Sequence, residues 1–208
     1  MATATGEKRG AMGKVLVTGT VSLDGFIADE NDAVGPLFDW YGNGDVTVTM
    51  GDPDRAFHVT EASAEYIRGV VGSVRAAVIG RRLFDITNGW NGVPAAGEHV
   101  FVVTHAPPTT WPFPAAPFTF VTEGVAAAIG QARRFAGDGD VSVMAGEIGG
   151  QALEAGLVDE VHLDLVPVLF GRGKRYFGSF AGAPSMLENP RVVEGDRALH
   201  LAYAVRRT

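Results

Sequence analysis

Short apolar runs that end in glycine or a polar residue constrain the fold of this chain most strongly. The runs Lys14–Thr20, Arg75–Ile79, Val100–Thr104 and Val141–Met144 are apolar and rich in β-branched residues, which predicts buried strands. The alanine-rich segment Gly124–Phe135 predicts a helix before the last of them. Strands that alternate with helices favour an α/β fold in which neighbouring strands are parallel.

The C-terminal third has a different pattern, because strands follow one another without a helix between them. Glu160–Phe170 predicts a long apolar strand, Gly171–Lys174 a turn, and Ser185–Val193 and Ala198–Val205 two further strands. Consecutive strands joined by turns pair antiparallel. The sequence therefore predicts a mostly parallel central sheet with antiparallel C-terminal strands.

Composition excludes several classes of protein. The chain has 208 residues with 46% hydrophobic residues, a net charge of −7 and no cysteine. It therefore has enough apolar residues for a core, lacks the basic balance of a nucleic-acid-binding protein, and has no thiolate or disulfide chemistry. No apolar run approaches the roughly 18–20 residues that a membrane span needs, and we expect a cytoplasmic protein. Residues 1–12 are predicted to be a disordered tail, and residues 13–208 a single domain.

Two strand ends are candidate phosphate-binding sites. Gly80 is followed by Arg81 and Arg82, whose guanidinium groups match the 2′-phosphate of a nucleotide, although a solvated pair at a helix start is equally plausible. The segment Ala145–Gly150 enters a helix, where free backbone amides bind phosphate. Close packing of two of its glycines on the sheet is the alternative interpretation.

Other candidates for a binding site lie in turns and loops. Asp24 is either a turn former or a carboxylate presented to a cleft. His105 follows a strand end and either borders a ligand or is a surface residue. Phe38 and Trp40 lie in a Gly/Pro-rich loop, where they either close over a flat heterocycle or cover the core. The five histidines show no ligand spacing, so no metal site is predicted.

Five segments together resemble the dihydrofolate reductase-like superfamily. The similarity is to the reductase domain of the bifunctional riboflavin-biosynthesis deaminase/reductase, without its zinc deaminase half. Its most specific part is LEAGLVDEVHLDLVPVLFGRGKRYF, and the matching segments are Val21–Ala28, Ala77–Asp85, Val100–Thr104, Leu153–Phe177 and Leu199–Arg206. The resemblance implies a three-layer α/β/α fold with NADPH bound across the strand ends.

The resemblance also implies roles for individual residues. It assigns the 2′-phosphate region to Gly80, Arg81, Arg82, Thr104 and His105, the pyrophosphate to Gly146, Glu147, Ile148 and Gly149, and the nicotinamide to Val17, Thr18 and the mobile loop Ser22, Leu23, Asp24 and Gly25. Asp24 is then the catalytic candidate, with Phe38 and Trp40 as substrate contacts. Two positions depart from the family pattern: Met144-Ala145 replaces a double glycine, and Leu83 replaces a threonine that would offer a hydroxyl to the 2′-phosphate.

We therefore expect an NADPH-dependent reductase of a small heterocyclic substrate, related to ribosylaminopyrimidine reductase. A catalytically silent nucleotide- or flavin-binding module and a pterin or folate reductase are the alternatives. We also expect a homodimer, because the long apolar C-terminal strands leave a sheet edge to be covered.

Overall fold

A computed structural model describes residues 13–206. The predicted tail and the last two residues of the predicted domain lie outside the described residues. The strands are β1 (Val15–Ser22), β2 (Phe26–Ala28), β3 (Val46–Met50), β4 (Asp52–Val59), β5 (Val74–Gly80), β6 (His99–Val103), β7 (Phe118–Val121), β8 (Asp140–Met144), β9 (Glu160–Val166), β10 (Lys174–Arg175), β11 (Arg191–Glu194) and β12 (Leu199–Ala204). The helices are α1 (Glu61–Ser73), α2 (Arg81–Thr87), α3 (Val125–Ala136) and α4 (Glu147–Glu154), with 3₁₀ segments at Gly35–Gly42 and Asn88–Gly92.

The central sheet has eight strands in the order β11-β12-β9-β1-β8-β5-β6-β7. Every pair from β9 to β7 is parallel, whereas β12 is antiparallel to both β9 and β11. Two small two-stranded antiparallel sheets, β3-β4 and β10-β2, lie outside it. The prediction of a mostly parallel sheet with antiparallel C-terminal strands is confirmed.

Helices cover both faces of the sheet, because successive side chains of a strand point to opposite sides. Val17 and Val78 belong to the apolar cluster that includes Ile129 of α3. The neighbouring residue Ile79 instead packs with Phe84 of α2. Helices α3 and α4 therefore form one outer layer and α1 and α2 the other, which gives the predicted three-layer arrangement.

Local sequence signals mark the start of α1 and the end of α4. The hydroxyl of Thr60 accepts a hydrogen bond from the Ser63 amide at 3.3 Å and caps α1, and Gly156, with φ of +65°, follows the end of α4. Strand β4 is absent from the sequence prediction, because Asp52-Pro53-Asp54 has the composition of a turn. Among residues 13–206, none of the helices has the length and apolar character that crossing a membrane requires.

Candidate functional site

The carboxyl ends of β5 and β8 bring two helix starts together. Gly80 precedes α2 and Gly146 precedes α4. A Cβ atom on Gly80 would lie 3.1 Å from Cγ1 of Ile148, so the two helix starts are in contact. Strand β1 continues past this point, because Thr18 pairs with Met144, the last residue of β8. The result is a step in the sheet edge at the ends of parallel strands, the place where α/β proteins bind ligands.

The start of α4 offers unpaired backbone amides toward this step. Gly146 has φ of +103°, and its amide donates to the carbonyl oxygen of Tyr176 at 2.6 Å. The first bond inside the helix runs from the Gly150 amide to the Gly146 oxygen at 2.9 Å. The amides of Glu147, Ile148 and Gly149 precede that bond, so helix geometry leaves them available to an anion.

Two glycines of α4 have packing roles. A Cβ on Gly149 would come within 2.9 Å of Cγ1 of Val17, and one on Gly150 would overlap the Phe177 carbonyl. Both glycines are therefore required for close contact of α4 with its neighbours. Val17 is fully buried, so neither its side chain nor its backbone is exposed to a nicotinamide ring in this structure. The assignment of Gly146, Glu147, Ile148 and Gly149 to the pyrophosphate stays a prediction.

Arg81 lies with the other residues predicted for the 2′-phosphate. Its Nε pairs with Asp85 Oδ1 at 2.7 Å, and its Nη1 donates to the Ala106 carbonyl at 2.7 Å. The hydroxyl of Thr104 also donates to that carbonyl, and His105 is exposed between the two. The structure thus brings these predicted contacts together where β6 ends.

Arg82 points to a different part of the site. Its Nε and Nη2 donate to Oδ2 of Asp32 at 2.9 and 2.5 Å, and Asp32 Oδ1 lies 4.0 Å from Nζ of Lys174. Asp32 adopts φ of +68° in the loop after β2, and its side chain is only 14% exposed. The carboxylate of Asp32 therefore already pairs with the Arg82 guanidinium group that was predicted to bind a phosphate.

Asp24 is held by the loop it faces. Ser22 donates its hydroxyl to Asp24 Oδ1 at 2.6 Å, and the amides of Phe170 and Gly171 donate to Asp24 Oδ2 at 3.1 and 2.6 Å. The Ser22 hydrogen bond, followed by these backbone amides, lowers the pKa of Asp24 below its usual value. The carboxylate joins the turn containing Gly25 to the loop after β9. Its catalytic role stays a prediction, although this geometry supports a structural one.

The two aromatic candidates, Phe38 and Trp40, differ in burial. Trp40 is 1% exposed and packs in the core against His200, with ring centres 5.1 Å apart. Its indole nitrogen is buried without a hydrogen-bond partner among residues 13–206. Phe38 is 44% exposed beside Tyr41. Trp40 therefore covers the core, as the alternative interpretation proposed, and Phe38 keeps a ring surface that a ligand can reach.

A polar strip that sequence reasoning missed lies between two apolar clusters on the α1/α2 face. One cluster lies under α1 and the other under α2. Between them are five polar side chains that we call the polar strip: Thr18, Thr20, Ser142, His162 and Asp164. Thr18 and Ser142 join the strip through hydroxyl oxygens 2.8 Å apart. The available signal was a polar residue at every second position of otherwise apolar strands.

One end of the polar strip has a buried hydrogen-bonded group behind it. His200 Nδ1 lies 2.7 Å from Asp164 Oδ1, and its Nε2 lies 2.9 Å from Ser63 Oγ. The order of atoms resembles a Ser-His-Asp triad, but Ser63 is 1% exposed and His200 fully buried. A substrate carbonyl cannot reach the serine, so the arrangement does not support acyl transfer. Burial, with a further contribution from the negative charge of Asp164, raises the pKa of Tyr66.

Two clefts border the sheet at opposite edges. A cleft of about 320 Å³ at the amino ends of the strands is lined by Lys14, Glu160 and His162, among others. An open cleft of about 510 Å³ at the carboxyl end includes Arg172 and Lys174. Within residues 13–206 no cluster of side chains suits a metal ion.

Comparison with solved structures identifies the fold. A protein assigned to riboflavin biosynthesis from Shewanella sp. PV-4 matches with a TM-score of 0.69 and 20% identity over 93% of this chain and 99% of that one. A deaminase/5-amino-6-(5-phosphoribosylamino)uracil reductase from Thermotoga maritima matches with a TM-score of 0.63 and 13% identity over 94% of this chain, which spans 57% of that protein. Dihydrofolate reductase from Enterococcus faecalis, complexed with NADP(H), matches with a TM-score of 0.57 and 14% identity over 95% of this chain and 99% of that one.

These matches confirm the predicted fold. The chain has the dihydrofolate reductase-like fold, and the solved structures it resembles include proteins of riboflavin biosynthesis and dihydrofolate reductase. No family model matches the chain, and no curated protein matches it.

Proposed function

We propose that this protein is an NADPH-dependent reductase that transfers hydride to a small heterocyclic substrate, related to 5-amino-6-(5-phosphoribosylamino)uracil reductase. The observation that carries the proposal is the contact between the starts of α2 and α4 at the carboxyl ends of β5 and β8. This edge combines free helix amides with Arg81, a donor set that suits a phosphorylated dinucleotide, and Arg82 can join it when its ion pair with Asp32 opens.

Different residues at the sheet edge would bind the 2′-phosphate and the pyrophosphate of that cofactor. Arg81, with Thr104 and His105 beside it, would hold the 2′-phosphate, and the first amides of α4 would hold the pyrophosphate. When bound, reduced nicotinamide supplies the hydride. Ile27 would pack beside the pyrophosphate, because its Cδ1 lies 3.4 Å from the position of a Cβ on Gly146.

Binding and turnover of the dinucleotide test this proposal directly. NADPH should raise the melting temperature with a dependence on ligand concentration that follows RT ln(1 + [L]/Kd). Replacing Arg81 and Arg82 by alanine should lower the affinity for NADPH far more than the affinity for NADH, because only NADPH carries the 2′-phosphate. Arg68→Ala is the matched control, since that arginine is exposed on α1 with Glu61 as its ion-pair partner.

The proposal fails if millimolar NADPH and NADH both leave the melting temperature unchanged. If the double alanine variant bound NADPH and NADH with equally reduced affinity, only the assignment of the 2′-phosphate to these arginines would be contradicted, and the proposed reductase function would stand.

A second candidate function is a nucleotide- or flavin-binding module without catalysis. The observation that favours it is Asp24, whose carboxylate oxygens are both used by Ser22 and the loop after β9. Tight NADPH binding without its oxidation by pyrimidines, pterins, flavins or quinones would support this module over the reductase.

We also propose that the chain forms a homodimer through β11. This strand ends the sheet, and Val192 on it is 55% exposed. An edge strand with unpaired backbone N–H and C=O groups favours pairing with a second copy. Light scattering should show a dimer that Val192→Lys converts to a monomer, whereas the control Leu169→Lys, at an exposed apolar residue outside β11, should not. A monomeric wild-type chain at all concentrations would refute the dimer.

A further inference from the structure

The buried group of Ser63, His200 and Asp164 has one open end. His200 is fully buried and Ser63 is 1% exposed, but 19% of the Asp164 side chain is exposed. An ionised carboxylate only accepts hydrogen bonds, so Nδ1 of His200 carries a hydrogen and donates it to Asp164. The imidazole orientation is thereby fixed, and with it the position of the carboxylate.

Filling a core does not require such a group. Taking an imidazole and a carboxylate out of water costs free energy that apolar side chains of the same volume avoid. Tyr66 stacks on the imidazole at 4.3 Å and the ring of Trp40 lies at 5.1 Å, so apolar contacts surround His200 already. What the polar group adds is a rigid carboxylate on the polar strip.

Asp164 lies beside the step in the sheet edge. It pairs with Thr20 of β1, two residues beyond Thr18, which pairs with the last residue of β8. The strip therefore runs from β8 across β1 to Asp164 on β9, on one face of the sheet. Asp164 is thus on the same face as the hydroxyls of Thr18 and Ser142.

Helix α1 does not supply a competing carboxylate to the strip. Its buried face consists of Ser63, Ala64 and Ile67. Glu61 is exposed and pairs with Arg68, and Glu65 borders the cleft at the opposite edge. Asp164 on β9 is therefore the acidic side chain of the polar strip.

We propose that Asp164 contacts the substrate and that His200 and Ser63 are positioning residues that hold its carboxylate. The substrate class is a planar compound with N–H donors on the edge facing β9, because a carboxylate accepts two parallel hydrogen bonds from such an edge. A compound with only acceptor oxygens, such as a quinone, would meet an unmatched negative charge. This inference rests on the proposed function for the position of the reacting ring next to the strip.

Benzamidine is the probe for this contact, with acetophenone as a probe of similar shape that lacks the N–H fork. With NADPH present, we expect wild-type protein to bind benzamidine at least fivefold more tightly than acetophenone. Asp164→Asn should reduce that ratio to about one, and His200→Asn should give an intermediate value. Glu188→Gln is the matched control for loss of one negative charge, since Glu188 is exposed and pairs with Arg206.

Amide chemical shifts in the wild-type protein give a second readout that does not depend on the stability of a variant. Benzamidine should shift the amides of Thr20 and Asp164. The proposal is overturned by shifts confined to the cleft near Glu65 and Glu160, or by the same binding ratio in wild type and Asp164→Asn. NADPH affinity is measured on the same samples without a probe. Benzamidine selectivity without NADPH binding would reject the proposed cofactor and keep the substrate contact. NADPH binding without benzamidine selectivity would keep the cofactor and reject the substrate contact.

Discussion

The two faces of the central sheet are built differently. The α3/α4 face has one continuous apolar cluster that joins β1, β5, β8 and β9 to the helices. The α1/α2 face has two separate clusters with the polar strip between them. An interrupted core forfeits apolar burial, which is the main stabilising contribution to a fold. The α3/α4 face therefore contributes most of the apolar stabilisation, whereas the α1/α2 face presents the polar side chains that can contact a substrate.

Contacts of the two faces with their helices show the same division. On the α3/α4 face, Gly149 brings α4 so close to β1 that a single Cβ would meet Val17. On the α1/α2 face, Thr18 is half-buried and its hydroxyl is bonded to Ser142. Close packing tolerates little change in volume, whereas a half-buried polar position has room for a ligand.

The largest expected effect is a difference in stability between substitutions on the two faces. Ile129 of α3 is 1% exposed, so Ile129→Ala should lower the free energy of unfolding by about 2–5 kcal/mol. Thr18→Val on the polar strip removes one hydrogen bond and should cost about 1 kcal/mol. Denaturant titration of both variants measures the difference. Equal losses would show that the polar strip is as important to stability as the apolar face.

A smaller effect is expected where α4 meets the segment after β10. Gly150→Ala places a Cβ against the Phe177 carbonyl, so α4 must shift, at a cost of about 1–3 kcal/mol. NADPH affinity should fall as well, because the first amides of α4 move with the helix. Gly69→Ala is the control, since this helical glycine of α1 has open space around it and should become more stable by up to about 1 kcal/mol. Unchanged stability of the Gly150→Ala variant would show that close packing of α4 against Phe177 does not require glycine at this position.

The sequence contains enough information for the sheet and its order of elements. Runs such as Val100–Thr104 are apolar on both faces, which only a strand covered by helices on both sides requires. Strand β4 escaped prediction because residues such as Asp52 and Arg55 do not alternate as a buried strand does. Its pairing with β3 depends on tertiary contacts.

The candidate site was predictable only in part. Gly80 ends β5, Arg81 follows it, and Gly146 lies two residues beyond β8, so the local sequence pattern places all three at the sheet edge. The group behind Asp164 has no local signature, because Ser63 and His200 are 137 positions apart and meet only in the folded chain. The same holds for Asp32 and Arg82, which are 50 positions apart.

The Asp32–Arg82 ion pair gives the next prediction on the ligand-binding side. Asp32→Asn removes the carboxylate that competes for Arg82, so NADPH should bind about two- to fivefold more tightly, the range expected for an exposed ion pair. The gain should shrink at high salt, where such pairs are screened. Glu30→Gln, which breaks the exposed pair with Arg172 nearby, is the control in titration calorimetry. Weaker NADPH binding by Asp32→Asn would mean that Asp32 orders the loop for the ligand instead of competing with it.

The smallest effect concerns the pH dependence of stability on the α3/α4 side. His99 packs against Phe101 and Phe135, and burial lowers its pKa below the ordinary value of 6.5. Below that value the unfolded chain binds a proton before the folded chain does, so stability falls as pH decreases. The contribution of His99 is complete above about pH 6.5 and is lost progressively as pH falls through the lowered pKa. His99→Phe should flatten the melting temperature between pH 7.5 and 5.5, and an unchanged slope would assign the pH dependence to other groups.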